Sequence, residues 1–228
     1  MKFFRELFGD PLKQAKQAKQ VGRQQQDARG KADVVYGPVG DLGTAIVSTS
    51  YNNYQNVAQV FGFNVRGNPS EQQMLTFYEF LYFYSHVTLR TAAAKGFTQP
   101  QFEKLQSYLG PLLASTAVDS FIGHWPDDFR KRLRSNFYEG LNIAEQEYSQ
   151  CRRFLSPDDP LNKDTVVGKL AGNIADLWER SFDKSAKMAV AAAVANAFNT
   201  MQLDKLVAKV APVIDSVDVK LIKEFRRR

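Results

Sequence analysis

The chain is poor in the residue types on which catalytic and metal sites depend. Its 228 residues include one cysteine, Cys151, and two histidines, His86 and His124. One cysteine excludes an intrachain disulfide framework. The histidines lack the H-x-x-x-H or E-x-x-H spacing of metal-binding helices, and no serine or cysteine lies in a nucleophile motif. The sequence therefore predicts no metal, no cofactor and no catalytic residues, and it favours a protein that is not an enzyme.

Long apolar stretches are also missing. The uncharged run Met188–Leu203 has 16 residues and includes two asparagines, a threonine and a glutamine, whereas a membrane span needs about 20 mostly apolar residues. The first ten residues contain Arg5 and Glu6 where a secretory signal would have its apolar core. We therefore expect a cytoplasmic protein, and a peripheral contact with a membrane stays open.

What the chain does have is positive charge at its N-terminus. Residues 1–31 carry eight Lys or Arg against three Asp or Glu, which gives +5 of the net +6 of the chain. Once the terminal Arg226, Arg227 and Arg228 are set aside, residues 32–225 carry a net charge of −2. A near-neutral body behind a basic segment suggests that the segment meets an acidic partner, such as a nucleic acid, an anionic membrane or an acidic protein.

The N-terminal arm, defined as residues 1–31, combines this charge with an apolar face. At about 100° per residue, four apolar side chains near its start share one side of a helix, and basic side chains follow at short intervals. The predicted partner-binding residues of the arm are Phe3, Phe4, Leu7, Phe8, Lys13, Lys16, Lys19 and Arg23. Such a face favours a protein partner or a second copy of the chain, with an anionic membrane as the alternative. Docking of the face on the chain's own body also stays open.

Helical periodicity dominates the rest of the chain. Ser70 opens a capping box, and aromatic side chains go all the way round the helix of residues 70–95, which predicts an enclosed central helix. A second pattern, over 127–155, predicts the longest helix. Residues 32–228 are therefore predicted to form one all-α domain, a bundle of about seven to nine helices behind the basic helical arm.

Glycine and proline set other predicted boundaries. The glycine-rich segment 37–43 predicts a turn. Residues 34–36 and 45–47 could pair as a short β-hairpin within 33–49, or residues 45–47 could open a helix that runs to about Phe61, and the periodicity favours helix from about residue 50. Gly110-Pro111 predicts a break between two helices, and Asp164 predicts the N-cap of a later one.

Small residues mark the helix that follows Asp164. Gly168, Ala171, Gly172 and Ala175 share one side of it, which would let another helix approach closely. The alanine-rich helix of residues 185–198 is the expected neighbour, in the same chain or across a dimer.

One polar constellation lies on the aromatic helix. Glu79, Tyr82, His86 and Arg90 recur at steps of three or four residues, so they share one face. A histidine between a carboxylate and an arginine can act as an acid or base when burial sets its pKa. These four are the predicted polar groups of a pocket, with a buried structural network as the competing interpretation.

Three hypotheses about function follow. The first is a non-enzymatic binding or scaffolding protein whose arm engages an acidic or apolar partner surface. The second is an enzyme or small-ligand binder with a pocket beside the helix of residues 70–95. The third is a non-specific nucleic-acid binder, which a second basic cluster, Arg130, Lys131, Arg132 and Arg134, would assist.

Overall fold

The computed structural model describes residues 37–65, 69–122 and 126–216, and these residues form a bundle of seven α-helices. The helices are α1 (37–61), α2 (Glu71–Ala94), α3 (Gln99–Ile122), α4 (Asp127–Ser149), α5 (Val166–Leu177), α6 (Lys184–Met201) and α7 (Leu203–Val210), and a 3₁₀ turn follows at Ile214–Ser216. The prediction of a single all-α, multi-helix domain is confirmed. The N-terminal arm, His124 and the last twelve residues lie outside the described residues.

Helix α2 is the centre of the bundle, as its ring of aromatic residues predicts. It contacts every other described helix, since α3, α4, α5 and α7 pack along it and ring contacts join it to α1 and α6. Its side chains are buried continuously from Phe80 to Leu89. A helix that is apolar all round is stable only when it is enclosed in this way. None of the described helices is both long and apolar enough to cross a membrane.

The ends of α2 follow from local sequence signals. The Ser70 hydroxyl accepts a hydrogen bond from the Gln73 N–H, and the Gln73 side chain accepts one from the Ser70 N–H. This reciprocal pair satisfies two donors that a helix start leaves open. At the other end Gly96 has φ of +82°, a left-handed conformation that glycine adopts without strain.

The predictions of a turn at 37–43 and of a hairpin within 33–49 are wrong for the described part of these segments. Residues 37–49 are helical and continue without a break to residue 61. Gly43 packs against Leu112 of α3, because a Cβ built there would be 2.1 Å from Leu112 Cδ2. This glycine therefore permits close packing of α1 on α3, and burial of Val39, Leu42 and Ile46 stabilises the helix.

The predicted break at Gly110-Pro111 is also wrong, since α3 runs through Pro111. A proline inside a helix costs about 3 kcal/mol, because a hydrogen bond is lost and the ring crowds the preceding turn. On both sides of it α3 buries side chains at helical spacing, including Leu105, Leu109, Leu113 and Ala117. At about 1.5–3 kcal/mol for each large apolar side chain, that burial exceeds the cost of the proline.

Helix α4 ends at Ser149, six residues before the predicted end, and α2 and α3 are both longer. After it the chain turns to run beside the residues that precede α5. The Arg152 N–H donates to Asp164 O at 3.1 Å, and the Val166 N–H donates to Arg153 O at 3.0 Å. These bonds between distant residues replace the helical ones, and the local periodicity contains no information about them.

The start of α5 lies one residue later than predicted. Thr165, not Asp164, is the N-cap, and its hydroxyl accepts the Gly168 N–H at 3.0 Å. Helix α5 packs against α6, as expected from its small residues, and Ala171 and Ala175 are fully buried. Gly168 has a different role, because a Cβ there would be 2.0 Å from the carbonyl oxygen of Asn162. That glycine accommodates the capping turn, whereas a Cβ at Gly172 would have open space.

Candidate functional site

The four predicted pocket residues separate into two groups along α2. His86 and Arg90 line a cavity near the C-terminal end of the helix. Glu79 joins a polar cluster further toward the N-terminus, and Tyr82 packs among aromatic rings. A shared helix face thus gives two separate environments, because different neighbouring helices cover each turn.

The cavity has a volume of about 310 Å³ and lies where α2, α3 and α4 meet. Its polar lining comes from His86 and Arg90 of α2 and from Glu145 and Ser149 of α4. Leu89, Ala93 and Phe102 form its apolar wall. A concave site with apolar walls and a few convergent polar groups is the usual form of a small-ligand site, and this volume is at the lower end for one.

His86 is the most buried polar group of the cavity, with 3% of its surface exposed. Its Nδ1 lies 3.0 Å from Glu145 Oε2, and its ring packs on Tyr148 at 5.5 Å between centroids. The other ring nitrogen, Nε2, is buried and has no hydrogen-bond partner among the residues that the structure describes. The sequence did not indicate Glu145, because 59 residues separate it from His86 and no local spacing signals the pair.

Arg90 holds the chain where α4 ends. Its guanidinium donates to Cys151 O at 3.1 Å and to Arg152 O at 3.2 Å. These two carbonyls lie just beyond the C-cap Gln150, and a cation near the C-terminus of a helix is stabilised by the negative end of the helix dipole. No basic residue lies in the last turn of α4 itself, and Arg90 supplies the cation from α2. These bonds also fix the direction of its side chain beside the cavity.

Glu79 belongs to a polar cluster that links α2, α4 and α5. Its Oε2 accepts hydrogen bonds from Tyr148 OH at 3.1 Å and from Asn173 Nδ2 at 3.4 Å. The same amide lies 3.3 Å from Glu147 Oε2, which forms an ion pair with Lys169 at 3.3 Å. Burial raises the pKa of Glu79, the two donors oppose that shift, and the nearby Glu147 carboxylate adds to it. The sequence pointed to Glu79 but not to its partners, which come from two other helices.

This shift predicts a pH-dependent contribution of Glu79 to stability. A carboxyl whose pKa is raised by folding binds its proton more tightly in the folded state. Its contribution is therefore greatest below the usual carboxyl pKa of about 4.3, and it is lost as the pH rises through the folded value. We expect Glu79→Gln to remove this loss, so that the free energy of unfolding of the variant relative to the native chain increases from acid to neutral pH.

Urea unfolding of both proteins across that pH range measures the difference. Glu139→Gln is the matched control, since Glu139 is an exposed carboxylate of α4. Its curve should run parallel to that of the native chain. If the free energy of unfolding of Glu79→Gln also runs parallel to that of the native chain across this pH range, folding does not change the pKa of Glu79.

Tyr82 is a packing residue in this structure. Its ring contacts Phe137 at 5.0 Å and Tyr78 at 6.3 Å, and it covers Gly140, where a Cβ would be 2.4 Å from the Tyr82 hydroxyl oxygen. Burial raises its pKa far above the usual tyrosine value. The hydroxyl therefore stays protonated at physiological pH.

Cys151 and Ser149, which follow Tyr148 near the end of α4, are not activated nucleophiles. Cys151 is buried, and burial raises the pKa of its thiol. The Ser149 hydroxyl donates to Gln146 O, so it is not bonded to His86. Within the described residues no cluster of three His, Cys, Asp or Glu side chains could hold a metal ion. The arrangement can bind a polar ligand through His86, Arg90 and Glu145, and it contains no assembled nucleophile and base.

Comparison with known proteins adds no relative. The chain matches no protein-family model, and no curated protein or solved structure is significantly similar to it. Function must therefore be argued from the residues and their geometry.

Proposed function

We propose that the chain is a non-enzymatic binding protein, in which the N-terminal arm engages an acidic partner surface and the helical bundle is the scaffold. The observation that supports this proposal is the distribution of charge. The described residues carry 16 Lys or Arg against 18 Asp or Glu, a net of −2 for a chain of +6. The excess positive charge therefore belongs to the rest of the chain, and residues 1–31 hold most of it.

The basic cluster on α4 does not offer a comparable surface. Arg130 and Arg134 both form ion pairs with Asp119, at 3.3 and 2.9 Å. Arg130 also pairs with Asp127, and Lys131 is 3.9 Å from Asp128. Phosphate contacts depend on basic side chains that release counterions, and here three of the four basic side chains already pair with carboxylates. This favours the arm over α4 as the contact with an acidic partner, and it makes nucleic acid the weaker alternative.

The test is neutralisation of the arm in the full chain. The arm variant carries Lys13→Gln, Lys16→Gln, Lys19→Gln and Arg23→Gln. The control variant removes the same charge from exposed positions of the bundle outside the basic cluster of α4, with Lys95→Gln, Lys163→Gln, Lys205→Gln and Lys209→Gln. Binding is measured at physiological salt to poly-glutamate, to vesicles with and without anionic lipid, and to a DNA duplex.

The arm variant should lose at least about tenfold in affinity for one of the acidic probes, because each basic group near an anionic surface contributes about 1 kcal/mol. The control variant should bind like the native chain. Equal losses in both variants would mean that only the total charge matters, and that result would refute the role of the arm. A second full-chain variant, with Phe3, Phe4, Leu7 and Phe8 changed to serine, separates the apolar contribution of the arm from the electrostatic one.

A second candidate function is small-ligand binding, and the cavity lined by His86, Arg90 and Glu145 favours it. The bundle encloses one side of this cavity with Leu89 and Phe102, so a ligand would bury apolar surface there while meeting fixed polar groups. Binding at this cavity and binding by the arm are compatible, because they use different parts of the chain.

A further inference from the structure

We propose that this cavity binds a small zwitterion, with one ammonium and one carboxylate, whose short apolar side chain packs against Leu89 and Phe102. A free apolar α-amino acid has this chemistry. The proposal rests on the second candidate function and goes further by assigning the class of ligand.

The cavity presents two opposite charges. Arg90 and Glu145 line the same cavity, yet they do not form an ion pair with each other within the described part of the chain. Each is held by a different group, Arg90 by the carbonyls of Cys151 and Arg152 and Glu145 by His86. Two opposite charges that are fixed apart can bind the two ends of one zwitterion.

Glu145 and Arg90 both keep hydrogen-bonding capacity for a ligand. Glu145 uses Oε2 for His86, and Oε1 has no partner among the described residues, so it can accept from an ammonium group. Arg90 uses Nη1 and Nη2 for one backbone carbonyl each. A guanidinium has five N–H donors in a planar fork, so three remain for a carboxylate. The hydroxyl of Ser149 adds one more polar group on the α4 side.

A ligand that carries only one charge would meet electrostatic repulsion in this cavity. A simple anion at Arg90 would face the Glu145 carboxylate across the cavity, and a simple cation at Glu145 would face Arg90. Arg90 is exposed and Glu145 is about one-third exposed, so like charges repel here with the strength typical of a protein surface. The buried His86 holds Glu145 in place, so the carboxylate cannot easily turn away from an anion. A zwitterion avoids both repulsions.

The volume of the cavity matches a ligand of amino-acid size. Water occupies about 30 Å³ per molecule, so a cavity of about 310 Å³ corresponds to about ten waters. One amino acid of about ten non-hydrogen atoms fills such a space, whereas a nucleotide or a peptide would extend beyond it. The apolar wall of Leu89, Ala93 and Phe102 gives the side chain of the ligand a surface to cover.

Calorimetric titration of the full chain tests the proposal with three related probes. L-Phenylalanine carries both charges, phenethylamine carries only the ammonium, and 3-phenylpropionate carries only the carboxylate; L-leucine is a second zwitterion. At least one of the two zwitterions should bind with a Kd below about 1 mM, and each singly charged analogue should bind at least about tenfold more weakly than L-phenylalanine or L-leucine. If an analogue binds as tightly as the zwitterions, the cavity remains a ligand site and the zwitterion assignment is refuted. If no probe binds, the zwitterion assignment and the small-ligand function on which it rests are both refuted.

Variants place the binding in this cavity. Glu145→Gln should weaken zwitterion binding about tenfold, while the matched Glu139→Gln on the exposed side of α4 should leave it unchanged. Arg90→Lys keeps the positive charge but not the planar fork, so it should weaken binding of the carboxylate end. Because Arg90 also holds the end of α4, circular dichroism must show that this variant is folded, and Glu145→Gln decides the result if it is not. Undiminished binding in Glu145→Gln would contradict the proposed site.

Discussion

Replacement of Gly168 by alanine is expected to destabilise the fold by about 2–4 kcal/mol. A Cβ at this position would lie 2.0 Å from the carbonyl oxygen of Asn162 and 2.9 Å from the Thr165 hydroxyl. The carbonyl is backbone, and it already accepts hydrogen bonds from the Thr165 N–H at 3.0 Å and from the Thr165 hydroxyl at 2.7 Å. Relief of the clash must shift the turn that caps α5. Overpacking of about 1–3 kcal/mol and loss of a cap of about 1 kcal/mol therefore combine.

Gly172→Ala is the matched control, one turn further along the same helix. No atom of the described residues lies within 4 Å of a Cβ there, so alanine should be tolerated and should stabilise α5 by up to about 1 kcal/mol through its higher helix propensity. Thermal unfolding of the two variants should therefore shift in opposite directions, with Gly168→Ala lower by about 10 °C. Similar shifts in melting temperature for both variants would mean that the capping turn rearranges without loss of stability.

Phe83→Ala should destabilise the fold by about 3–5 kcal/mol. The Phe83 ring is fully buried and contacts the rings of Tyr148, Phe154 and Phe198, each at 6.1 Å between centroids. It thus joins α2 to α4, to the segment after α4 and to α6. Truncation removes apolar burial and leaves a cavity that large neighbouring rings cannot fill, and both effects weaken the folded state.

Phe182→Ala provides the comparison on the surface. This phenylalanine lies between α5 and α6 and is fully exposed. Its removal should change the free energy of unfolding by less than about 0.5 kcal/mol. Urea unfolding at neutral pH measures both variants. A loss below about 1 kcal/mol for Phe83→Ala would show that the rings around it repack and that the contacts across α2 are not decisive.

Local signals in the sequence were sufficient wherever neighbouring residues decide the structure. The capping box at Ser70 predicted the start of α2, since it involves only a few consecutive residues, and the predicted end at residue 95 lies one residue beyond the observed one. The aromatic residues of α2 predicted its central place, because so much apolar surface must be covered on every side. The alanine-rich helix predicted over 185–198 corresponds to α6, which begins one residue earlier and ends three residues later.

Local signals failed where distant packing outweighs them. Pro111 should interrupt a helix and Gly43 should favour a turn, yet both lie in continuous helices. In each case, burial of neighbouring apolar residues against another helix contributes more free energy than the local preference costs. The end of α4 is a related case, because Arg90 and the residues before α5 supply the hydrogen bonds that replace the helical ones.

The candidate site was predicted in part for the same reason. Spacing on α2 identified His86 and Arg90, which do line one cavity, and it also included Glu79 and Tyr82, which face other neighbours. Glu145 completes the site from α4 and has no signal in the sequence. The sequence by itself determined the helical class, the ends and central place of α2 and the charge contrast between arm and bundle. Only the tertiary structure decided which polar residues meet, because side chains 59 positions apart come together through the packing of α2 on α4.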